Sequence, residues 1–191
     1  VLNSDIPSFT YFNKVPLSNQ DVVSNVAVYS EGNKDYFVVL VRDNNNKIQI
    51  YHNENYSSAI EAEETSDNFK TQIYLYAPSN EQVFVIYNVG NKLCQVNLKD
   101  YDTKTCKDLT NNNKAAQFVK HGETLFVNTG SGLYSVALKA NGISNPTKIK
   151  EMDQEGNAMV PMVVSGDYLY VNVNKKIFKY NLNNLNDISH E

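Results

Sequence analysis

Three histidines, two cysteines and a scatter of carboxylates are the side chains in this 191-residue chain with the chemistry to act on something. A metal site needs ligands clustered at matched geometry. His52, His121 and His190 fall in different parts of the chain, and no shared ligand set follows from their spacing. Two oxygen-rich stretches, Asp43-Asn44-Asn45-Asn46 and Asp153-Gln154-Glu155-Gly156-Asn157, hint at calcium. A complete calcium loop needs more ligands in order and a bidentate Glu at its twelfth position, and neither stretch supplies that set. Hairpin turn chemistry accounts for the first stretch equally well. Gly-rich phosphate loops, Gly-x-Ser-x-Gly elbows and Cys-x-x-Cys pairs do not occur. The expectation is a non-enzyme with no catalytic residue, no metal site and no cofactor.

Other polar groups point to surfaces. Glu61, Glu63, Glu64 and Asp67 form an acidic run. Charge on an outermost strand blocks edge-to-edge pairing, and the same run suits docking of a basic partner. Asn55-Tyr56-Ser57 is an N-glycosylation acceptor triplet, expected on a loop between strands. Asn145-Pro146-Thr147 is excluded by its proline.

The bulk composition narrows the class. A hydrophobic content of 41% with 20% charged residues suits one globular domain with a real core. A net charge of −4 argues against a nucleic-acid surface, which normally carries a basic excess. No apolar run approaches the roughly 18 residues that span a bilayer. The 28 asparagines, about 15% of the chain, suit many tight turns, and an AT-rich genome would produce the same bias.

The elements that must position these groups repeat. An acidic residue heads an apolar run at Asp35 (DYFVVLV), Glu81 (EQVFVIY), Glu123 (ETLFVNT) and Asp167 (DYLYVNV). Successive markers lie 46, 42 and 44 residues apart. A period of about 40–50 residues belongs to propeller blades and comparable arrays. Each run leads through a polar turn into a second alternating run: KIQIYHN, KLCQVNL, GLYSVAL and KIFKYNL. On turn alignment Gln49, Cys94, Tyr134 and Phe178 share one slot, and Tyr51, Val96, Val136 and Tyr180 the next. Alternation at period two predicts one buried face per strand. A strand precedes each marker (VSNVAVYS, TQIYLYA, AAQFVKH, AMVPMVVS). Another closes each unit, as in TKTCKDL over PTKIKEM, with Ile60 and Ile188 in the same slot.

These units resemble a generic β-propeller repeat, without the Gly-His and Trp-Asp dipeptides of WD40 repeats or the double glycines of kelch repeats. The fold class is therefore all-β: a propeller-like array of four-stranded antiparallel blades, four units, alone or as part of a larger propeller. A β-sandwich or a β-helix is the competing architecture; the first gives no reason for a 44-residue echo and the second has a shorter period. Residues 1–22 read as an N-terminal extension with one strand in SFTYFNKVPLS (8–18). The units run over about 23–67, 68–113, 114–156 and 157–191. The expected core is Phe37, Val39, Phe84, Ile86, Phe126, Tyr134, Tyr168, Tyr170, Phe178 and Tyr180.

The resemblance implies a binding surface, since loops on a rigid frame commonly carry recognition. The connections between units, EETSDNFK, LTNNNK and MDQEGNA, nominate Asp67, Asn68, Asn112, Asn113, Glu155 and Asn157 for contact with a protein partner. The expected function is a non-catalytic interaction or scaffold module. Two alternatives are a fragment of a secreted carbohydrate-active or other hydrolytic propeller enzyme, and half of a propeller completed by another chain. An unfilled ring would leave a blade edge open for association.

The cysteines complete the reading. If the third and fourth strands of the second unit pair about residue 100, Cys94 and Cys106 stand opposite each other. Directly opposed residues have Cβ atoms roughly 4.5–5.5 Å apart, close to bridging distance. The other reading makes each a small core residue with a free thiol, as a cytosolic protein allows. A Cys94–Cys106 disulfide implies an extracytoplasmic compartment, either secreted or within an organelle lumen. Unreduced mass spectrometry of freshly isolated protein should find no free thiol; two alkylatable thiols would exclude both the bond and the compartment.

Overall fold

Each acidic marker stands in or just after a reversal of the chain. Gly122 and Gly166 sit in these turns at φ of 56° and 57°, in the left-handed region that favours a residue without a Cβ. From such turns grow two-residue hairpins whose arms then add further antiparallel strands. The computed structural model describes residues 21–32, 34–42, 48–52, 55–57, 71–79, 81–89, 92–101, 104–109, 117–129, 132–152, 162–173 and 176–190. Every regular element among them is a β-strand.

Blade 1 holds β1 (Asp21–Val22), β2 (Ala27–Glu31), β3 (Lys34–Arg42), β4 (Ile48–His52) and β5 (Asn55–Ser57). Blade 2 holds β6 (Ile73–Ser79), β7 (Gln82–Val89), β8 (Lys92–Asn97) and β9 (Lys104–Asp108). Blade 3 holds β10 (Gln117–His121), β11 (Thr124–Asn128), β12 (Gly132–Ala137) and β13 (Thr147–Glu151). Blade 4 holds β14 (Val163–Ser165), β15 (Tyr168–Val173), β16 (Lys176–Asn181) and β17 (Asn184–His190). Blades 2 to 4 are simple meanders in sequence order. Blade 1 differs by one short strand: β1 and β2 both pair with β3, with Arg42 bound to Asp21 at 2.6 Å. The chain is an all-β array of propeller-like blades.

The core lies between the blades. One cluster joins Val38, Leu40 and Ile50 of blade 1 to Val83, Val85, Tyr87 and Val96 of blade 2. The next joins Tyr76, Phe84, Ile86 and Leu93 of blade 2 to Phe118, Leu125, Val127, Tyr134 and Val136 of blade 3. The third joins Phe126, Leu133 and Met152 of blade 3 to Met162, Leu169, Val171 and Tyr180 of blade 4. Each blade therefore has a forward face, toward the next blade, and a rear face, toward the one before. The expectation of one buried face per strand is corrected here. In β7 all residues from Val83 to Val89 are buried, because blades 1 and 3 cover its two sides.

Two further expectations change. Tyr168 and Tyr170 are half-buried, not core, because they lie on the forward face of the last blade; their neighbours Leu169 and Val171 face blade 3 and are fully buried. Phe37 and Phe178 are also only partly covered, whereas Val39, Phe84, Ile86, Phe126, Tyr134 and Tyr180 are buried. The strand register also moves the turn-based slots. Tyr51, Val96, Tyr134 and Phe178 are equivalent, opposite Val39, Val85, Val127 and Val171. The second hairpins of blades 1 and 2 are longer at the turn, and a two-residue offset keeps the same face, so the pattern of sides survives.

The Asn55-Tyr56-Ser57 triplet forms β5, paired with β4, where a loop was expected. Ile60 and residues 1–20 lie outside the described residues. Cys94 and Cys106 are directly opposed in the β8–β9 ladder and their sulfurs are bonded at 2.05 Å. Behind the bridge, Gly142 of blade 3 leaves room for blade 2. A Cβ there would stand 2.7 Å from Thr105 Oγ1.

Two stability outcomes follow. Phe126→Ala empties a buried site between blades 3 and 4 and should cost about 3–5 kcal/mol in denaturant unfolding; a cost below about 1 kcal/mol would show that blade 4 repacks freely. Cys94→Ala with Cys106→Ala opens a loop with a sequence separation of 12 and should cost about 3 kcal/mol.

Candidate functional site

The meander brings four kinds of chain end to one end of every blade. First strands begin there, second strands finish there, third strands begin there, and fourth strands finish there. At that end, therefore, the described strands run into the turn of each second hairpin and into the connection to the next blade. The nominated contact residues Asp67, Asn68, Asn112, Asn113, Glu155 and Asn157 lie outside the described residues, as do Glu61, Glu63, Glu64 and both calcium-like stretches. What the structure defines is the floor from which those loops rise.

At the first and second strands that floor is built largely of uncharged polar side chains, with the Arg42–Asp21 pair at the edge of blade 1. Asn25, just ahead of β2, reaches across to blade 2: its Oδ1 accepts from the Ile73 amide at 2.7 Å and its Nδ2 donates to the Ile73 carbonyl at 3.5 Å. Beside it the Thr71 amide donates to the Val23 carbonyl at 2.8 Å, and Ser24 pairs with Thr71 in a parallel bridge. One blade on, Gln72 Oε1 accepts from the Phe118 amide at 2.7 Å. Within blade 2, the Thr71 hydroxyl donates to Asn88 Oδ1, and both side chains are buried. Gln117, Asn128 and Thr129 are the buried polar residues of the same level in blade 3. Side-chain amides here do the work of a ladder bond between sheets that have no common strand.

The sequence reading missed these residues. The signal was present in the repeated Val-Asn of ETLFVNT and DYLYVNV, which sets Asn128 and Asn172 at one register position. The turn propensity of asparagine hides its other capacity, to bond backbone across blades.

The opposite end is charged. Lys99 pairs with Glu31 across blades 2 and 1 and lies 5.9 Å from the Tyr29 ring. Tyr76 donates to Glu123 Oε2 at 3.2 Å, and Lys120 lies 5.6 Å from the Tyr76 ring. The described ionisable groups with displaced titration are tyrosines. Burial, then the nearby Glu31 carboxylate, pushes Tyr29 up to about 12. Burial raises Tyr74 and Tyr76, with the Glu123 carboxylate adding to both. Burial alone pushes Tyr87 well above the phenol range, in the interface between blades 1 and 2.

Among the described residues no group of three or more His, Cys, Asp or Glu side chains is placed to hold a metal ion. His121 is exposed at the end of β10, and His52 and His190 end strands of blades 1 and 4. No helix among the described residues is long and apolar enough to cross a membrane.

No protein-family model matches the chain, and no curated protein matches its sequence. Solved structures do match. A crystal structure of Citrobacter koseri AztD covers 85% of this chain at 16% identity, with a TM-score of 0.52. A structure of apo AztD from the same organism covers 88% at 16% identity, with the same TM-score of 0.52. The likeness is one of fold. The chain spans less than half of their length, 45% and 46% respectively.

Among the described residues the buried Tyr87 hydroxyl finds no partner, which makes it a measurable liability. Tyr87→Phe should raise stability by about 1 kcal/mol, because it removes an unsatisfied buried donor. Phenols with raised folded values keep their proton longer in the folded chain than in the unfolded one. Stability should therefore hold below about pH 10 and fall as pH climbs from there toward about 12, the Tyr29 value. In Tyr87→Phe the fall should be shallower by urea titration; an unchanged slope would exclude Tyr87 as a contributor.

Proposed function

We propose that the chain is a non-catalytic recognition and scaffold module that works outside the cytoplasm and binds a protein partner through the loops at its polar end. The observation that carries this reading is the floor beneath those loops. Asn25, Thr71, Gln72 and Asn88 fix the blade ends by buried or part-buried hydrogen bonds to backbone and to one another. A rigid base of this kind holds variable loops without itself offering a nucleophile or an acid–base pair. The Cys94–Cys106 bond supports the compartment, because structural disulfides persist where the surroundings are oxidising. The strands β6, β10 and β14 carry no carboxylate, which leaves the hydrolase reading without acids on them.

Immobilised wild-type chain, offered the extracytoplasmic fraction of its source cell, should retain a specific protein. A variant with alanine at Asn112, Asn113, Glu155 and Asn157 should lose that protein while its Tm stays within about 2 °C of wild type. Loss of the same protein through alanine at Lys120 and His121, at the charged end, would overturn the assignment.

A further inference from the structure

The rear face of blade 1 is buried although no described blade stands behind it. Val39 is 5% exposed, Val41 0% and Tyr51 3%, and the cluster they form holds only residues of β3 and β4. Blade 2 packs on the other face, against Val38, Leu40 and Ile50. A valine on the open face of a sheet keeps much of its side chain in water, because its sheet neighbours flank it without lying over it. Something therefore lies over β3 and β4.

The pattern of burial says what kind of object covers it. Where two blades meet here, their inner strands meet, β2 against β6 and β10 against β14. Val164, on the rear face of the inner strand β14, accordingly packs into the cluster between blades 3 and 4. In blade 1 the order is reversed. Val28 of β2 pairs with Phe37 and Val22 of β1 pairs with Val41, so both belong to the rear face, yet they are 61% and 43% exposed. The inner strip is open while the middle of the sheet is covered. A whole blade would close the inner strip first. A single strap of chain laid along β3 and β4 would leave it open.

Composition selects the strap. The stretches adjoining blade 1 that lie outside the described residues are 1–20, 33, 43–47, 53–54 and 58–70. The residues at 33, 43–47 and 53–54 are all polar or charged. The stretch 58–70 carries Glu61, Glu63, Glu64 and Asp67 against two large apolar residues, Ile60 and Phe69. In 1–20, by contrast, Phe9, Tyr11, Val15 and Leu17 recur at even spacings, which gives an extended segment one apolar side. Pro16 lacks an amide proton, which suits a segment held by its side chains and not by a ladder. The tether fits too. β1 begins at Asp21, bound to Arg42 at the end of β3, so residue 20 joins the blade at the edge of the buried face. Ser18 and Asn19 suit a reversal there. The stretch from Phe9 to Leu17 is as long as the nine-residue β3, about 30 Å when extended.

We propose that residues 9–17 cross the rear face of blade 1 as a strap, with Phe9, Tyr11, Val15 and Leu17 seated on Val39, Val41 and Tyr51. The strap caps blade 1, since the terminal unit of a stacked array needs a cover for the face that has no neighbour. It also gives the array a direction. A docking blade cannot seat on β3 and β4 while the strap is in place. The apolar positions still open to one are those on the forward face of blade 4, Val163 (54% exposed) and Ile177 (52%).

Two measurements on the full chain test this. With the photoreactive p-benzoylphenylalanine in place of Phe9, one aromatic for another, irradiation should cross-link residue 9 to the peptide that spans β3 and β4. A cross-link to blade 4 instead, or none within the chain, would overturn the proposal. Hydroxyl-radical footprinting reads the cover from the other side. Tyr11→Ser with Leu17→Ser should raise the oxidation of Tyr51 several-fold and leave the buried Tyr134 and Tyr180 as slow as in wild type. Ile60→Ser with Phe69→Ser should leave Tyr51 slow. The reverse pattern would overturn the strap in favour of a cover by residues 58–70. Neither readout depends on capture of a loop-binding protein, so this proposal and the recognition reading fail separately.

Discussion

A blade of this protein cannot be stable alone, and the rest of the structure follows from that constraint. Its second strand is apolar on both sides, and a single sheet can hide neither. Burying a Val, Leu or Phe side chain is worth about 1.5–3 kcal/mol, and β7 alone offers five such residues plus Tyr87. Those gains exist only while a blade stands on each side. The array is therefore quasi-one-dimensional, with stability set by nearest-neighbour interfaces. This explains why the second strands of the two inner blades, β7 and β11, are buried along almost their whole length, and why the outermost faces keep apolar residues that nothing described covers.

Stacked sheets have no ladder between them, so apolar packing alone would let blades slide. The polar end supplies register. Asn25 grips both the amide and the carbonyl of Ile73, which fixes blade 2 along the strand direction relative to blade 1. Gln72 holds blade 3 by a single bond, its Oε1 accepting from the Phe118 amide. These bonds are partly buried, where a mismatched donor or acceptor would cost about 1–3 kcal/mol, so slipped packings are penalised. The end that orders the blades is also the end from which the connecting loops leave.

Much of the fold was legible because it depends on two periods that survive in sequence. The 42- to 46-residue spacing of Asp35, Glu81, Glu123 and Asp167 gave the blades, and alternation within each run gave the strands. The faces were harder. Phe126 and Tyr170 occupy one register position, yet only Phe126 has a blade in front of it, and position in the array decides this. Aligning turns misplaces the third-strand slots of blades 1 and 2 by two residues, because their second hairpins are longer than those of blades 3 and 4. The polar floor escaped notice for a chemical reason. Asn25 and Gln72 bond to backbone, which carries no sequence signature, so no complementary residue pair marks the contact.

The disulfide belongs to the same account. Outer strands have least to bury: β9 and β13, the last strands of their sheets, are at most half-buried along their length. Blades 3 and 4 hold theirs by apolar contact, with Ile149 and Ile188 packed against the cluster they share. In blade 2 the outer strand is tied by a bond instead: Cys106 packs against the core between blades 1 and 2 and is joined to Cys94 within it. Such a tie holds only where disulfides last, because a reducing cytosol would return two thiols. The extracytoplasmic reading therefore rests on this bond.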